Sequence, residues 1–441
     1  MCPNAIERVG DLGAAREIVS RIDDALIGVG YTFFVNSAGT HARDDAAHGD
    51  SWVAPFATID YAIGHCVANR GDVIEIAPMH TETRSAASAI FDADVAGITL
   101  RGHGHGSLRP TLNYNHASAV CSVGASNVSI SGIIFKAHIT SVTKALDIEA
   151  TVTGTLIEDC QFTVDTAGTD EFTSCVNIND SCDDTIIRGC LFAQGVSGAA
   201  AQAILLTVAA TGPDGVIIED CTLTGSFSTG FVGFSGDFAS TNFVFRRNLS
   251  LNTTANKSIV TLYTGSTGYI TDNRFIQANT TTKAFTADAV VYANNHTLGG
   301  SAPGIRVDRA TAAIPQTTTA DLFTVATGRV RVYAILGKVT TNIGAVANAT
   351  KFTFVPTAGI ATRDLCATLE WNALAAGNIV SILGAPATAM VASYAAVLGA
   401  PLLLEPGTVK LDCAGSDGET GRAAFELYYE PVEAGASVVS A

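Results

Sequence analysis

One short phrase returns along this chain, each time around the same central residue. IEDCQF occupies residues 157–162, IIRGCLF occupies 186–192 and IIEDCTL occupies 217–223. Aligned on the cysteine, Cys160 and Cys190 are 30 residues apart, and Cys190 and Cys221 are 31 apart. The register continues to Asn248 in VFRRNLS, Asn273 in YITDNRF and Asn295 in VVYANNH, and runs back to Ile133 in SISGIIF. Repetition at about 22–31 residues is the mark of a solenoid, in which each repeat buries its apolar face only against its neighbours. Each copy reads as a short strand, a bend and a second short strand, with no helical spacing. The length per turn suits three strands and three turns, a parallel β-helix.

That coil predicts its own interior. Ile130, Ile157, Ile187, Ile218, Phe245 and Ile270 should stack as one ladder, and Phe135, Phe162, Phe192, Leu223 and Phe275 as another. The cysteine then points inward at a bend, where a small residue fits, and Asn248 and Asn273 replace it with amides that can bond along the stack. Redox or metal chemistry would need exposed thiolates, so a core pivot is the better reading. Rungs about 4.8 Å apart would allow disulfides between them, but none is expected.

Two positions before the pivot stand Glu158, Arg188, Glu219 and Arg246, and one position before it Asp220, Arg247 and Asp272. Both columns alternate in sign, so neighbours on successive rungs can pair. The expectation is a solvated ion ladder rather than a set of catalytic carboxylates.

Composition bounds the rest. The 441 residues are 47% apolar and only 15% charged, with 42 glycines, which describes a well-buried, turn-rich chain. A net charge of −16 argues against nucleic acid and against an anionic membrane surface. The stretch 371–404 carries no charge, but glycines and prolines interrupt it, so strands and loops rather than a spanning helix are expected. No signal peptide is read at the start, where charges fall in place of an apolar core. The ten cysteines form no CxxC pair and no Cys/His metal spacing, and reduced, buried thiols are expected.

Residues 11–28 show helical spacing, so 1–29 is read as a helical capping or attachment segment. Residues 30–300 form the β-helix, and 301–319, rich in Gly, Pro and Thr, form a linker. From 320 to 441 longer strands alternate with turn signals, which predicts an antiparallel β-sandwich.

Residues 31–82 carry a strand ending in VNSAG, a PFATIDYAI helix and GDVIEIAP as the first rung. This opening resembles that of pectate-lyase-like right-handed parallel β-helices, and versions of it recur among bacteriophage tailspikes, tail fibres and other virion surface proteins. The usual continuation is Pro-Gly followed by an aromatic residue or His, whereas this chain has Pro78-Met79-His80. The tail ELYYEPVEAGASVV resembles the terminal strand of small β-domains in phage structural proteins. The resemblance implies a right-handed parallel β-helix, and with the short N-terminal helix and C-terminal sandwich read above the expected fold is all-β.

Candidate chemistry is sparse. RGHGHGSLRP (residues 101–110) looks glycine-rich, but no helix pattern follows, so a turn is expected rather than a phosphate cradle. His103 and His105 alternate without a third metal ligand. Asp165, Asp170, Glu171, Asp180, Asp183 and Asp184 form the densest acidic cluster. A lyase would need such acids around Ca²⁺ with a basic residue nearby, and a hydrolase two carboxylates about 5–9 Å apart. INDSCDD (178–184) reads equally well as a turn. Few aromatics are available to stack sugars: Trp52 lies outside the repeat and Trp371 in the C-terminal region. No catalytic, cofactor-binding or metal residue is therefore assigned, and no cofactor is expected.

The functional expectation is a non-enzymatic virion protein on the particle surface, whether decoration protein, spike or fibre. It would be made in the host cytoplasm and assembled as a homotrimer with other virion proteins. The alternative is a tailspike depolymerase cleaving host surface polysaccharide, with a host glycan as partner, and a secreted bacterial polysaccharide lyase stands third. Whether the chain is an enzyme stays open at this stage.

Overall fold

The computed structural model describes residues 30–441 apart from 167–168, 196–199, 255–256, 277–283, 287–288, 299–301, 360, 383, 396–397 and 416–420. The helix expected over 11–28 lies outside the described residues.

Residues 32–297 wind into a parallel β-helix with three sheets. Sheet I has ten strands from Thr32–Val35 to Ala289–Ala293, sheet II nine from Thr81–Arg84 to His296–Thr297, and sheet III eight from Ala89–Ala93 to Phe285–Thr286. Each turn of chain gives one short strand to each sheet, and every pairing within the three sheets is parallel. A coil of this kind pairs backbone groups rung to rung, so the chain needs no helices to satisfy them. The opening behaves as its sequence implies. Thr32–Val35 pairs with Val73–Ile76, and a helix at Ile59–Ile63 begins on the Thr58 hydroxyl, which accepts from the Tyr61 N–H.

The interior columns fall in the expected register. Ile130, Ile157, Ile187, Ile218, Phe245 and Ile270 are successive partners, and all are fully buried. Phe135, Phe162 and Phe192 stack face to face at 4.8 and 5.0 Å, within 8° of parallel. The second ladder differs above Leu223, where Ser250 takes the place between Leu223 and Phe275. A hydroxyl cannot fill an aromatic's volume. Phe231, from sheet III, fills the space instead, 5.6 Å from Phe192 and 5.2 Å from Phe245.

The bend explains the residue types around the pivot. The position before it is left-handed on seven successive rungs: Gly132, Asp159, Gly189, Asp220, Arg247, Asp272 and Asn294, with φ between 50° and 71°. Gly, Asn and Asp tolerate that conformation best. The column of Asp220, Arg247 and Asp272 is thus selected partly by backbone geometry. At Gly132 a Cβ would also lie 2.5 Å from the Gly102 carbonyl oxygen, so only glycine fits.

Residues 305–313, inside the stretch expected as a linker, form a strand antiparallel to Arg422–Pro431. With the strands that follow they build two six-stranded antiparallel sheets. The sheets face each other across Phe352, Phe425 and the fully buried Trp371, with Phe352 and Phe425 rings 6.1 Å apart. The last rung joins this sandwich through the Asn294 N–H, which donates to Glu430 at 2.6 Å. The uncharged stretch 371–404 is short strands and loops, and no helix among the described residues is long and apolar enough to cross a membrane.

Candidate functional surface

The cysteine pivots are part of the core. Cys160, Cys190 and Cys221 are at most 2% exposed, and each thiol donates to carbonyls of its own and the preceding rung, as Cys190 does to Ile157 and Arg188. Burial drives the Cys190 thiol well above its ordinary range, with the neighbouring thiols of Cys160 and Cys221 adding to the shift. Cys121 and Cys175 are pushed up by the same burial, and Cys66 rises to about 12. A thiol kept protonated is a poor nucleophile and a poor metal ligand.

The outer face of sheet I carries two rows. In one, Glu158 pairs with Arg188 at 2.8 Å, and Glu219 with Arg246 at 2.7 Å and Arg247 at 2.8 Å. Arg247 also takes Asp220 at 2.7 Å, and this contact holds the Asp220 carboxyl below its usual range. Asp272 is not paired with Arg247 and accepts from the Asn294 side chain instead. The row extends back to Glu75 and Arg101, which pair at 2.8 Å. The other row is apolar: Leu156, Ile186, Ile217, Val244, Tyr269 and Val291 are successive partners on the same outward side. Tyr269 is 56% and Val291 47% exposed. Six rungs make a stripe about 24 Å long. Sequence reading passed over it, although its signal is visible: from Ile157 to Ile270 the residue before each member of the internal column is itself apolar, which breaks the period-two pattern of a solvated face.

The acidic cluster disperses. Asp165 pairs with Lys136 and His138, and the Lys136 contact lowers its carboxyl below the usual range. Asp170 closes its own turn by accepting from Thr166 and Thr169, and Glu171 meets the Ser141 hydroxyl. Asp180 accepts three backbone N–H groups from residues 209–211, led by Ala210, and is lowered by them. Asp183 accepts from the Asp214 N–H, and Asp184 is a left-handed corner with φ 53°. INDSCDD is a turn whose carboxylates cap the rung above.

The glycine-rich loop at 103–109 holds only a short 3₁₀ turn at Gly106–Leu108 and no phosphate cradle. His103 donates to Glu75 at 2.6 Å, while His105 is exposed and points to no shared ligand. Among the described residues no group of three or more His, Cys, Asp or Glu side chains is arranged to hold a metal ion.

On sheet III, Thr143, Lys144, Ser174, Asn177, Gln202 and Thr207 help line a polar groove of about 270 Å³. Asp147 anchors it, taking Lys144 at 2.5 Å, Asn177 at 2.8 Å and Asn179 at 3.0 Å. The same sheet row begins at Asp92, whose carboxyl is raised by desolvation and by the charges of Asp94 and Asp60.

No protein-family model matches the chain. No curated protein matches its sequence. Among solved structures, a rhamnogalacturonan lyase is similar at 14% identity and TM-score 0.43, over 61% of this chain and 74% of that one. A mutant tailspike protein of E. coli bacteriophage HK620, solved with a pentasaccharide, is similar at 11% identity and TM-score 0.33, over 91% of this chain and 89% of that one. The tailspike protein of Acinetobacter baumannii phage AM24 is similar at 11% identity and TM-score 0.30, over 96% and 82%. At these values the likeness carries nothing about activity, substrate or assembly.

Proposed function

We propose that this chain is a non-enzymatic structural protein of a bacteriophage particle, displayed on its surface as a decoration protein, spike or fibre and working as a homotrimer. The observation that carries this reading is the apolar row from Leu156 to Val291, edged by alternating charge. A flat apolar stripe on a rigid rod is costly in water, and burying it is favourable by about 25 cal/mol per Å². The rows of glutamate and arginine beside it give a second copy partners of both signs. The opening motif's likeness to virion β-helices points the same way. The carboxylates of the solenoid mostly serve arginines on the next rung or cap backbone amides, which is the work of a scaffold. Other virion proteins and a host surface glycan would be its partners.

The alternative, a depolymerase cleaving host polysaccharide, has one observation in its favour. The sheet III groove places a carboxylate, a lysine and several amides together at Asp147, Lys144, Asn177 and Gln202. The test is the native mass of the purified protein, with and without SDS before heating, together with release of reducing ends from host envelope polysaccharide. A trimer that releases no sugar is the expected result. A monodisperse monomer would sink the assembly, and sugar release lost in Asp147→Asn would establish the enzyme.

A further inference from the structure

The chain has two tryptophans, and the fold treats them in opposite ways. Trp371 is fully buried in the sandwich, whereas Trp52 is 44% exposed. Trp52 belongs to the loop between the first strand and the Ile59 helix, at a tight turn bridged from Ser51 to Ala54. Although outside the repeat in sequence, it folds back over the solenoid. Its ring meets Phe34 edge-on at 4.8 Å and 63°, and His103 at 5.9 Å and 77°. Contacts on two sides hold the indole in place, so its exposure is a fixed feature of the surface.

Beneath the indole lies Glu75, the sheet neighbour of Phe34 on one side and Arg101 on the other. One carboxylate oxygen accepts from Arg101 at 2.8 Å and the other from the His103 ring at 2.6 Å. Thr32, Phe34, Trp52, Glu75, Pro78 and His103 enclose a shallow cleft of about 470 Å³. That falls within the roughly 300–1,000 Å³ usual for small-ligand sites.

The chemistry of this cleft selects its ligand. Glu75 and Arg101 cancel in charge, so the site has no net pull on an ion. Arg101 is 51% exposed and keeps further N–H donors beyond the one on Glu75, and His103 has a second ring nitrogen not engaged by Glu75. An exposed aromatic face beside fixed donors and acceptors suits a neutral molecule with one flat apolar face and a rim of hydroxyls. A pyranose ring has that form: its axial C–H groups lie on the indole while its equatorial hydroxyls reach the polar rim.

We propose that this cleft is a binding subsite for a neutral pyranose unit of a glycan. The ring rests on Trp52, and its hydroxyls are held by Arg101, His103 and Glu75. No bond is broken there; the site retains, and it does so on the first rungs of sheet I, a different face of the coil from the sheet III groove. The proposal rests on the reading above for the class of partner, a surface glycan, and adds the site that holds it; a folded protein that retains no neutral glycan would overturn the site and leave the structural role standing.

The test uses the intact protein on an array of neutral and acidic oligosaccharides, followed by fluorescence titration with the retained glycans. With Trp371 buried, any change in emission or in acrylamide quenching reports on Trp52. Neutral glycans should be retained, the emission should shift to the blue, and Trp52→Ala should lose about tenfold or more in affinity with an unchanged melting temperature. Should Trp52→Ala fold poorly, Arg101→Gln at its half-exposed position should lose affinity in the same way. Retention of no neutral glycan, retention of acidic glycans alone, or unchanged affinity in a folded Trp52→Ala protein would each overturn the proposal. So would a Trp52→Ala protein that changes native mass but not glycan affinity, because the indole would then be a contact between copies.

Discussion

The side-chain oxygen of Asn273 accepts two hydrogen bonds from Asn248, one from its backbone N–H at 2.9 Å and one from its side-chain amide at 3.2 Å. The same arrangement is handed on in both directions: Asn248 accepts from the Cys221 N–H, and Asn273 donates to Asn295. Each amide also donates to a carbonyl one rung further down, Ile218 for Asn248 and Phe245 for Asn273. Where the cysteine pivots end, an asparagine ladder begins, and it gives the buried pivot N–H groups of Cys221, Asn248 and Asn273 an acceptor on the next rung. Asn273→Ala would strand two donors on Asn248 inside the coil. The expected cost is about 3 kcal/mol, read as a fall in the denaturation midpoint, and a change below the error of that measurement would show that the ladder is not cooperative.

The thiol pivots should be chemically silent. Cys160, Cys190 and Cys221 are buried, and Cys190 stays protonated far above its ordinary range because desolvation disfavours the thiolate. A disulfide-exchange reagent at pH 8 should leave all three unlabelled in the native protein and label them on unfolding. Cys190→Ser should destabilise by about 1–3 kcal/mol, because a hydroxyl pays more than a thiol for a dry site, and should remove no binding or assembly property. Rapid native labelling would contradict this placement of the pivots.

Asp92, on the exposed side of its strand, should lower stability slightly at neutral pH. Desolvation, and then Asp94 and Asp60, raise its carboxyl above the usual range. Folding therefore favours the protonated form: this contribution is fully present below the ordinary carboxylate pKa and is lost as pH rises through the raised value. Asp92→Asn is expected to raise the melting temperature at pH 7 and to make little difference near pH 3. Asp180 and Asp220 run the other way, lowered in the fold, so what they add is present at neutral pH and disappears as acid protonates them. An Asp92→Asn protein with equal gains at both pH values would refute the electrostatic cause.

The exposed end of the apolar stripe should govern association. Tyr269 and Val291 are sheet neighbours and the most open members of the row. Tyr269→Asp puts a charge into a surface that would be desolvated on assembly, and it should weaken self-association about tenfold or more while leaving the monomer's melting temperature nearly unchanged. Sedimentation across a concentration series would show it, and an oligomer indifferent to the substitution would place the contact on another face.

Much of the solenoid was readable before any coordinates. The register of Cys160, Cys190, Cys221, Asn248, Asn273 and Asn295, the isoleucine column and the pairing of Glu158 with Arg188 all follow from one repeat, because residues one turn apart in sequence are neighbours in space. Reading failed where that offset does not apply. Ser250 breaks the phenylalanine column, and its replacement, Phe231, comes from a different sheet of the same coil. Residues 305–313, whose composition reads as a linker, pair with a strand more than a hundred positions away. The left-handed corner that selects Asp220 and Asp272 is a backbone property, visible in the sequence only as a column dominated by Gly, Asp and Asn.

The sequence alone determined the period, the inward columns and the pivot, since a coil repeats its nearest neighbours at a constant spacing and one apolar pattern specifies them all. Only the tertiary structure decided which outward side chains meet. Trp52 reaches Phe34 and His103 through two loops of unrelated length, and the acids of 165–184 turn away to cap separate rungs. Loops carry no period, so where they land is settled by packing and hydrogen bonding across the folded surface rather than by any spacing along the chain.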